Sequence, residues 1–181
     1  MDRLIDSGVL IGRIEARATL HPPPAPADKS LVGQINETIQ WLEGFAEAVR
    51  TCDYARGRAM FAPEAVGFGT VAPRAVGLER LINEQWRRVW GVTHGFSFYL
   101  DVLEAGGEEP VFWAAAPWSS FGRTADGVEL ERRGRSTIVL VRRDGKLLAV
   151  HSHFSFLPSG AVTPSPADEL LLTGAAPGPR R

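Results

Sequence analysis

Two histidines and a serine alternate along one short stretch, as His151, His153 and Ser155. In an extended chain, residues at i, i+2 and i+4 share one face. Such a trio could set a general base beside a hydroxyl, or supply two of the ligands that a zinc ion needs. A third metal ligand is not evident nearby, so no metal is expected. The other groups able to move a proton are scattered. Asp53, Tyr54 and Glu64 fall in the first half of the chain, and His94, Tyr99, Asp101 and Ser152 in the second. No paired carboxylates and no nucleophile–base–acid set stand out by spacing. Asp53, Tyr54 and Ser152 are the catalytic candidates. Each also has a plainer role: Asp53 as a helix cap, Tyr54 as a core aromatic, Ser152 as a strand residue.

The elements that must position these groups change character midway along the chain. From Asp28 or Ser30 to Thr51, the residues Leu31, Ile35, Ile39, Leu42, Phe45, Ala46 and Val49 recur at spacings of three and four, the apolar face of a helix. Asp53 opens a second, shorter helix over 53–61, ended by Pro63. Residues 66–71 read as a short strand or extended loop. A third helix spans 77–90, with Leu78, Leu81, Ile82, Gln85/Trp86, Val89 and Trp90 as its stripe and Gly91 as its stop. From Thr93 the period becomes two. Strands are predicted over 94–103, 111–121, 129–143 and 146–157. Asp144-Gly145 joins the last two as a tight hairpin turn, which needs positive φ. Pro117 lacks a donor and belongs at an edge or bulge. Helices first and hairpins after them define an α+β fold, with three helices packed in the concave face of a curved, mostly antiparallel sheet.

Alternation assigns the faces of the last strand. Leu148, Val150, Ser152, Phe154 and Phe156 form the more apolar face and point toward the helices. His151, His153 and Ser155 then face outward. The run at 129–135, ELERRGR, reads as a solvated edge of mutually paired charges, with anion binding by Arg135 as the alternative.

Composition narrows the function classes. The chain has 181 residues, 44% hydrophobic and 23% charged, with a net charge of -1. That balance disfavours binding to nucleic acid or to a membrane surface through bulk charge. No apolar run approaches the ~20 residues of a membrane span. The first residues lack the pattern of a secretory signal, and the single cysteine, Cys52, forbids an intrachain disulfide and suits a cytoplasmic setting. Residues 1–27 read as an extension ending in the proline-rich spacer HPPPAPA. Residues 28–158 form the domain, and 159–181 a loose Pro/Gly/Ala-rich tail.

The segment RRDGKLLAVHSHFSFLP, 142–158, resembles the last hairpin of the nuclear transport factor 2-like superfamily. It is most similar to the SnoaL-like branch and to the association domain of calcium/calmodulin-dependent protein kinase II. Thr137, the Arg142-Arg143-Asp144-Gly145-Lys146 turn, the His151-x-His153-x-Ser155 alternation and Pro158 carry the likeness. The starts of the second and third helices at Asp53 and Gly77-Leu78 also fit. The resemblance implies a cone-shaped fold with a pocket between helices and sheet, and a homodimer formed through the outer face of His151, His153 and Ser155. No cofactor is expected. Ungapped pairing with the kinase domain's arginine-lined pocket puts Trp118, Ile138 and Phe154 at those positions, so an apolar, aromatic pocket is expected. Its expected lining is Tyr54, Phe68, Trp86, Trp90, Trp118, Ile138, Ser152, Phe154 and Phe156. The function expected is binding of a small hydrophobic ligand. The alternatives are an isomerase, cyclase or dehydratase working on a ketone or polycyclic substrate, and a non-catalytic assembly domain.

Overall fold

The computed structural model describes residues 31–123 and 126–158. The predicted extension over 1–27 and tail over 159–181 lie outside the described residues. Helix α1 (Leu31–Arg50) and helix α2 (Tyr54–Ala59) come first. On α1 the buried stripe is Trp41, Leu42, Phe45, Ala46, Ala48 and Val49. Asp53 caps α2, its carboxylate accepting from the Arg56 amide at 2.9 Å. That bond satisfies one of the free amides of the first turn.

Strand β1 (Phe61–Phe68) begins five residues earlier than the expected extended segment at 66–71. Pro63 therefore lies inside a strand rather than ending a helix. A two-residue strand, β2 (Ala75–Val76), pairs with β1 and leads into the third helix. That helix is composite. It starts as α3 (Leu78–Leu81), widens to a π-helical stretch over Ile82–Trp86, and ends through Arg87–Val89 and a 3-10 turn at Trp90–Val92. Across this change of winding, Leu81, Ile82, Gln85 and Trp86 stay buried on one side of the helix.

Five further strands follow in chain order. They are β3 (His94–Phe98), β4 (Glu104–Glu108), β5 (Val111–Arg123), β6 (Glu129–Arg143) and β7 (Lys146–Phe156). The single strand expected over 94–103 is thus broken by a 3-10 turn at Leu100–Val102. The break accounts for Pro117. Strand β3 pairs with β5 up to Phe98–Trp118, and β4 takes over from Glu104–Ala115. Pro117 occupies the junction, where no neighbouring strand requires its missing N–H.

The sheet order is β2-β1-β7-β6-β5-β3, with β4 also pairing with β5. All these pairings are antiparallel except β1 with β7, which is parallel. The β6–β7 hairpin turns at Asp144-Gly145, both with positive φ, 49° and 75°. Alternate residues Phe112, Ala114, Ala116, Trp118 and Ser120 of β5 are buried, as are Ser136, Ile138 and Leu140 of β6. These face α1 and the third helix across one shared core.

Candidate functional site

A cleft opens between the helices and the concave face of the sheet. It encloses about 580 Å³ counting the solvent at its mouth, with about 60 Å³ in which a water-sized molecule can be centred. The sheet supplies Trp118 and Ser120 from β5, Arg132 from β6, and Ser152, Phe154 and Phe156 from β7. Helix α1 adds Phe45 and Val49, the third helix adds Leu81, Gln85, Trp86, Val89 and Trp90, and Thr93 and Phe96 follow it. Residues 68–70 complete the rim.

The walls are a packed aromatic cluster. Trp86 and Trp90 stack with centroids 4.6 Å apart, and Phe45 touches Trp86, Trp90 and Phe154 at 6.0, 5.8 and 6.0 Å. Trp118 lies 6.4 Å from Phe154 and 5.8 Å from Phe156. Its indole N–H donates to the Arg135 carbonyl at 3.1 Å, which fixes the ring. Gly134 makes room for it, because a Cβ there would come within 2.3 Å of the indole. Such rings contribute large apolar area with few rotatable bonds.

Few polar groups enter the cleft. Gln85 is committed to the fold: its Oε1 accepts from the Val71 and Ala72 amides at 3.0 and 2.8 Å, and its Nε2 donates to Thr70. This clamp shapes the 70–72 loop at the rim. Ser120 and Ser152 are buried on the floor. Among the described residues, Arg132 is the one charged residue lining the cleft. Its Nη2 donates to Thr93 Oγ1 at 2.8 Å and to the Phe121 carbonyl at 3.0 Å, and burial draws its pKa below the usual arginine value. Among the described residues, no Asp, Glu, His, Tyr, Cys or Lys lines the cleft.

The expected site residues separate into two groups. Phe68, Trp86, Trp90, Trp118, Ser152, Phe154 and Phe156 line the cleft; Tyr54 and Ile138 do not. Ile138 faces the helices but is fully enclosed, at 0% exposure, beneath the packed core. Tyr54 stacks on Trp90 at 5.1 Å with Arg87 over its ring, so Trp90 carries Tyr54 on one side and Trp86 on the other. Phe68 touches the rim, yet its ring meets His151 and His153 edge-on at 5.1 and 5.7 Å. That contact belongs to the outer face, where β1 and β7 pair Phe68 with His153. Ser155 follows on the same face by alternation. Asp53 is exposed and capping. Glu64 pairs with Arg143, while His94 and Asp101 are exposed and Tyr99 is half-buried, none of the four in the cleft. No group of three or more His, Cys, Asp or Glu gathers among the described residues.

Two expectations require correction. The run at 129–135 is not wholly a solvated, self-paired edge. Arg133 pairs with Glu131 at 2.8 Å, but Arg132 turns into the cleft. The cleft is consequently aromatic with one cation, not without basic groups. Alternation carried the signal: stepping back from Ile138 by twos through Ser136 and Gly134 reaches Arg132 on the same concave face.

The helices on a curved sheet, with a cleft between them, define a cone-shaped α+β protein of the nuclear transport factor 2-like class. The profile of the SnoaL-like domain matches residues 39–159, and the chain belongs to that family. Among curated proteins, no sequence matches it. Solved structures share the fold at low identity. A nuclear transport factor 2-like superfamily protein from Salmonella enterica serovar Typhimurium has a TM-score of 0.61 at 16% identity, over 74% of this chain and 99% of that one. The association domain of Caenorhabditis elegans calcium/calmodulin-dependent protein kinase II has a TM-score of 0.57 at 14% identity, over 71% and 99%. A protein from Streptomyces avermitilis, provisionally described as a dehydratase of the same superfamily, has a TM-score of 0.62 at 11% identity, over 71% and 99%.

Proposed function

We propose that this SnoaL-like domain binds a small, largely aromatic ligand in the cleft between helices and sheet, as a homodimer joined through the outer face of the sheet. The observation that carries the binding reading is the lining itself: Phe45, Trp86, Trp90, Phe96, Trp118 and Phe154 converge on one cleft with a handful of polar groups among them. Ligand sites are typically apolar concavities with a few placed polar groups. An isomerase, cyclase or dehydratase of this shape would need a general base in the cleft. Among the described residues the cleft offers none, so binding is favoured over acid–base chemistry.

Differential scanning of the protein against a panel of bicyclic aromatic compounds tests the reading. A true ligand at one hundred times its Kd stabilises the fold by about 2.7 kcal/mol, a rise in Tm of several degrees. Trp118→Ala should remove that rise. A panel with no stabilising member, or stabilisation that survives Trp118→Ala, counts against the cleft as the site.

A further inference from the structure

Arginine side chains elsewhere in the molecule mark what is unusual about Arg132. Arg50, Arg58, Arg80, Arg133, Arg142 and Arg143 each meet a glutamate, and the other described arginines apart from Arg132 are exposed to solvent. Arg132 meets none among the described residues; its adjacent Glu131 is taken by Arg133. Its Nε is buried and has no hydrogen-bond partner. Burying a cation without a counter-charge is costly, and such groups are ordinarily paired.

The site around it is built. Arg132 lies opposite Ser120 in the β5–β6 ladder. Its guanidinium covers Gly122, where a Cβ would come within 2.9 Å of Cζ, so the absence of a side chain there makes its seat. The Thr93 hydroxyl donates to the Val89 carbonyl at 2.6 Å, which leaves its oxygen lone pairs to accept from Arg132 Nη2. The third helix and the sheet therefore both hold one cation in place, and its Nη1 has no partner among the described residues. Beside it along the floor run Trp118 and Phe156, while the helices present Trp86 and Trp90.

We infer that the ligand is an aromatic acid, its ring held by the aromatic walls and its carboxylate paired with Arg132. The inference rests on the cleft being a ligand site. A guanidinium offers two parallel N–H donors that match a carboxylate. A single cation among apolar walls suits one negative charge better than a phosphate dianion, which would leave a second charge desolvated.

Titration calorimetry of the full chain with 1-naphthylacetate and its neutral analogue 1-naphthylacetamide decides the matter. The acid should bind at least about tenfold more tightly than the amide, as expected for a charge-assisted pair partly shielded from water. The preference should shrink as salt is raised. In Arg132→Gln the acid should fall to the amide's affinity while the amide is unaffected, with circular dichroism to show that the fold is kept. Equal binding of acid and amide by the unaltered protein overturns the carboxylate anchor and leaves the cleft as a ligand site. Tighter binding of 1-naphthyl phosphate than of the acid overturns the carboxylate class. No binding of any of the three overturns the binding reading itself, and the anchor with it.

Discussion

Single residues decide the shape of the cleft by what they leave out. Gly134 faces the helices between Trp118 of β5 and Phe156 of β7. A Cβ there would sit 2.1 Å from the Ser155 carbonyl oxygen and 2.3 Å from the Trp118 ring. Neither the strand backbone nor an indole tied to the Arg135 carbonyl can yield cheaply. Gly134→Ala should therefore destabilise the fold by about 1–3 kcal/mol in urea titration, through overpacking. It should also alter the near-ultraviolet dichroism of the tryptophans; an unchanged spectrum and midpoint would show that Trp118 is not held as described. Gly122 plays the same part for the guanidinium of Arg132. These two glycines explain why β5 and β6 can carry a large ring and a long cation on adjacent concave positions.

The elements are held to one another by packing inside and by ion pairs outside. Glu64 of β1 reaches Arg143 of β6, Glu79 of the third helix reaches Arg58 of α2, and Arg80 pairs with Glu84 within the third helix. Hydrogen bonds from the paired arginines hold all three carboxyls below their ordinary 4.5. A depressed folded-state pKa stabilises above the unfolded value, and the contribution is lost as pH falls through the folded one. Thermal stability should thus stay level from pH 7 to about 5 and decline below about 4.5, by a small amount because each pair is solvent-exposed and screened. A decline that begins well above pH 5 would show that groups other than these three pairs set the acid limit. Arg142 is placed differently. Burial pulls its pKa down, but hydrogen bonds to Glu37 of α1 and Glu109 outweigh that pull and raise it. It ties the end of β6 to the first helix.

At the scale of the whole molecule, the outer face of the sheet carries the proposed dimer. Trp113 is 42% exposed there, on a strand whose alternate residues are buried. His151, His153 and Phe68 form a ring cluster on the same side. Sedimentation equilibrium should give twice the chain mass, and Trp113→Asp should shift the protein toward monomer by at least about tenfold in Kd, since a charge in a buried apolar contact is rarely tolerated. A monomeric unaltered protein would remove the partner assigned to His151 and His153. The hairpin at Asp144-Gly145, the α1 stripe from Leu42 to Val49 and the period-two runs of β5 and β6 were all legible in the chain. Each is a local pattern, in which side-chain spacing alone says which face is apolar. The sequence determined the helical faces, the faces of β5 and β6, the last turn, the cap at Asp53 and most of the cleft's aromatic residues; in β7 a bulge at Val150 breaks the alternation, so Ala149 rather than Leu148 and Val150 is fully buried. Tertiary structure decided the rest. The parallel pairing of β1 with β7 joins residues some 85 positions apart. The third helix widens to a π turn over Ile82–Trp86, Trp90 separates Tyr54 from the cleft, and Arg132 lies half-buried without a carboxylate among the described residues. Each of these depends on which distant groups approach and exclude water, and no spacing along the chain encodes desolvation.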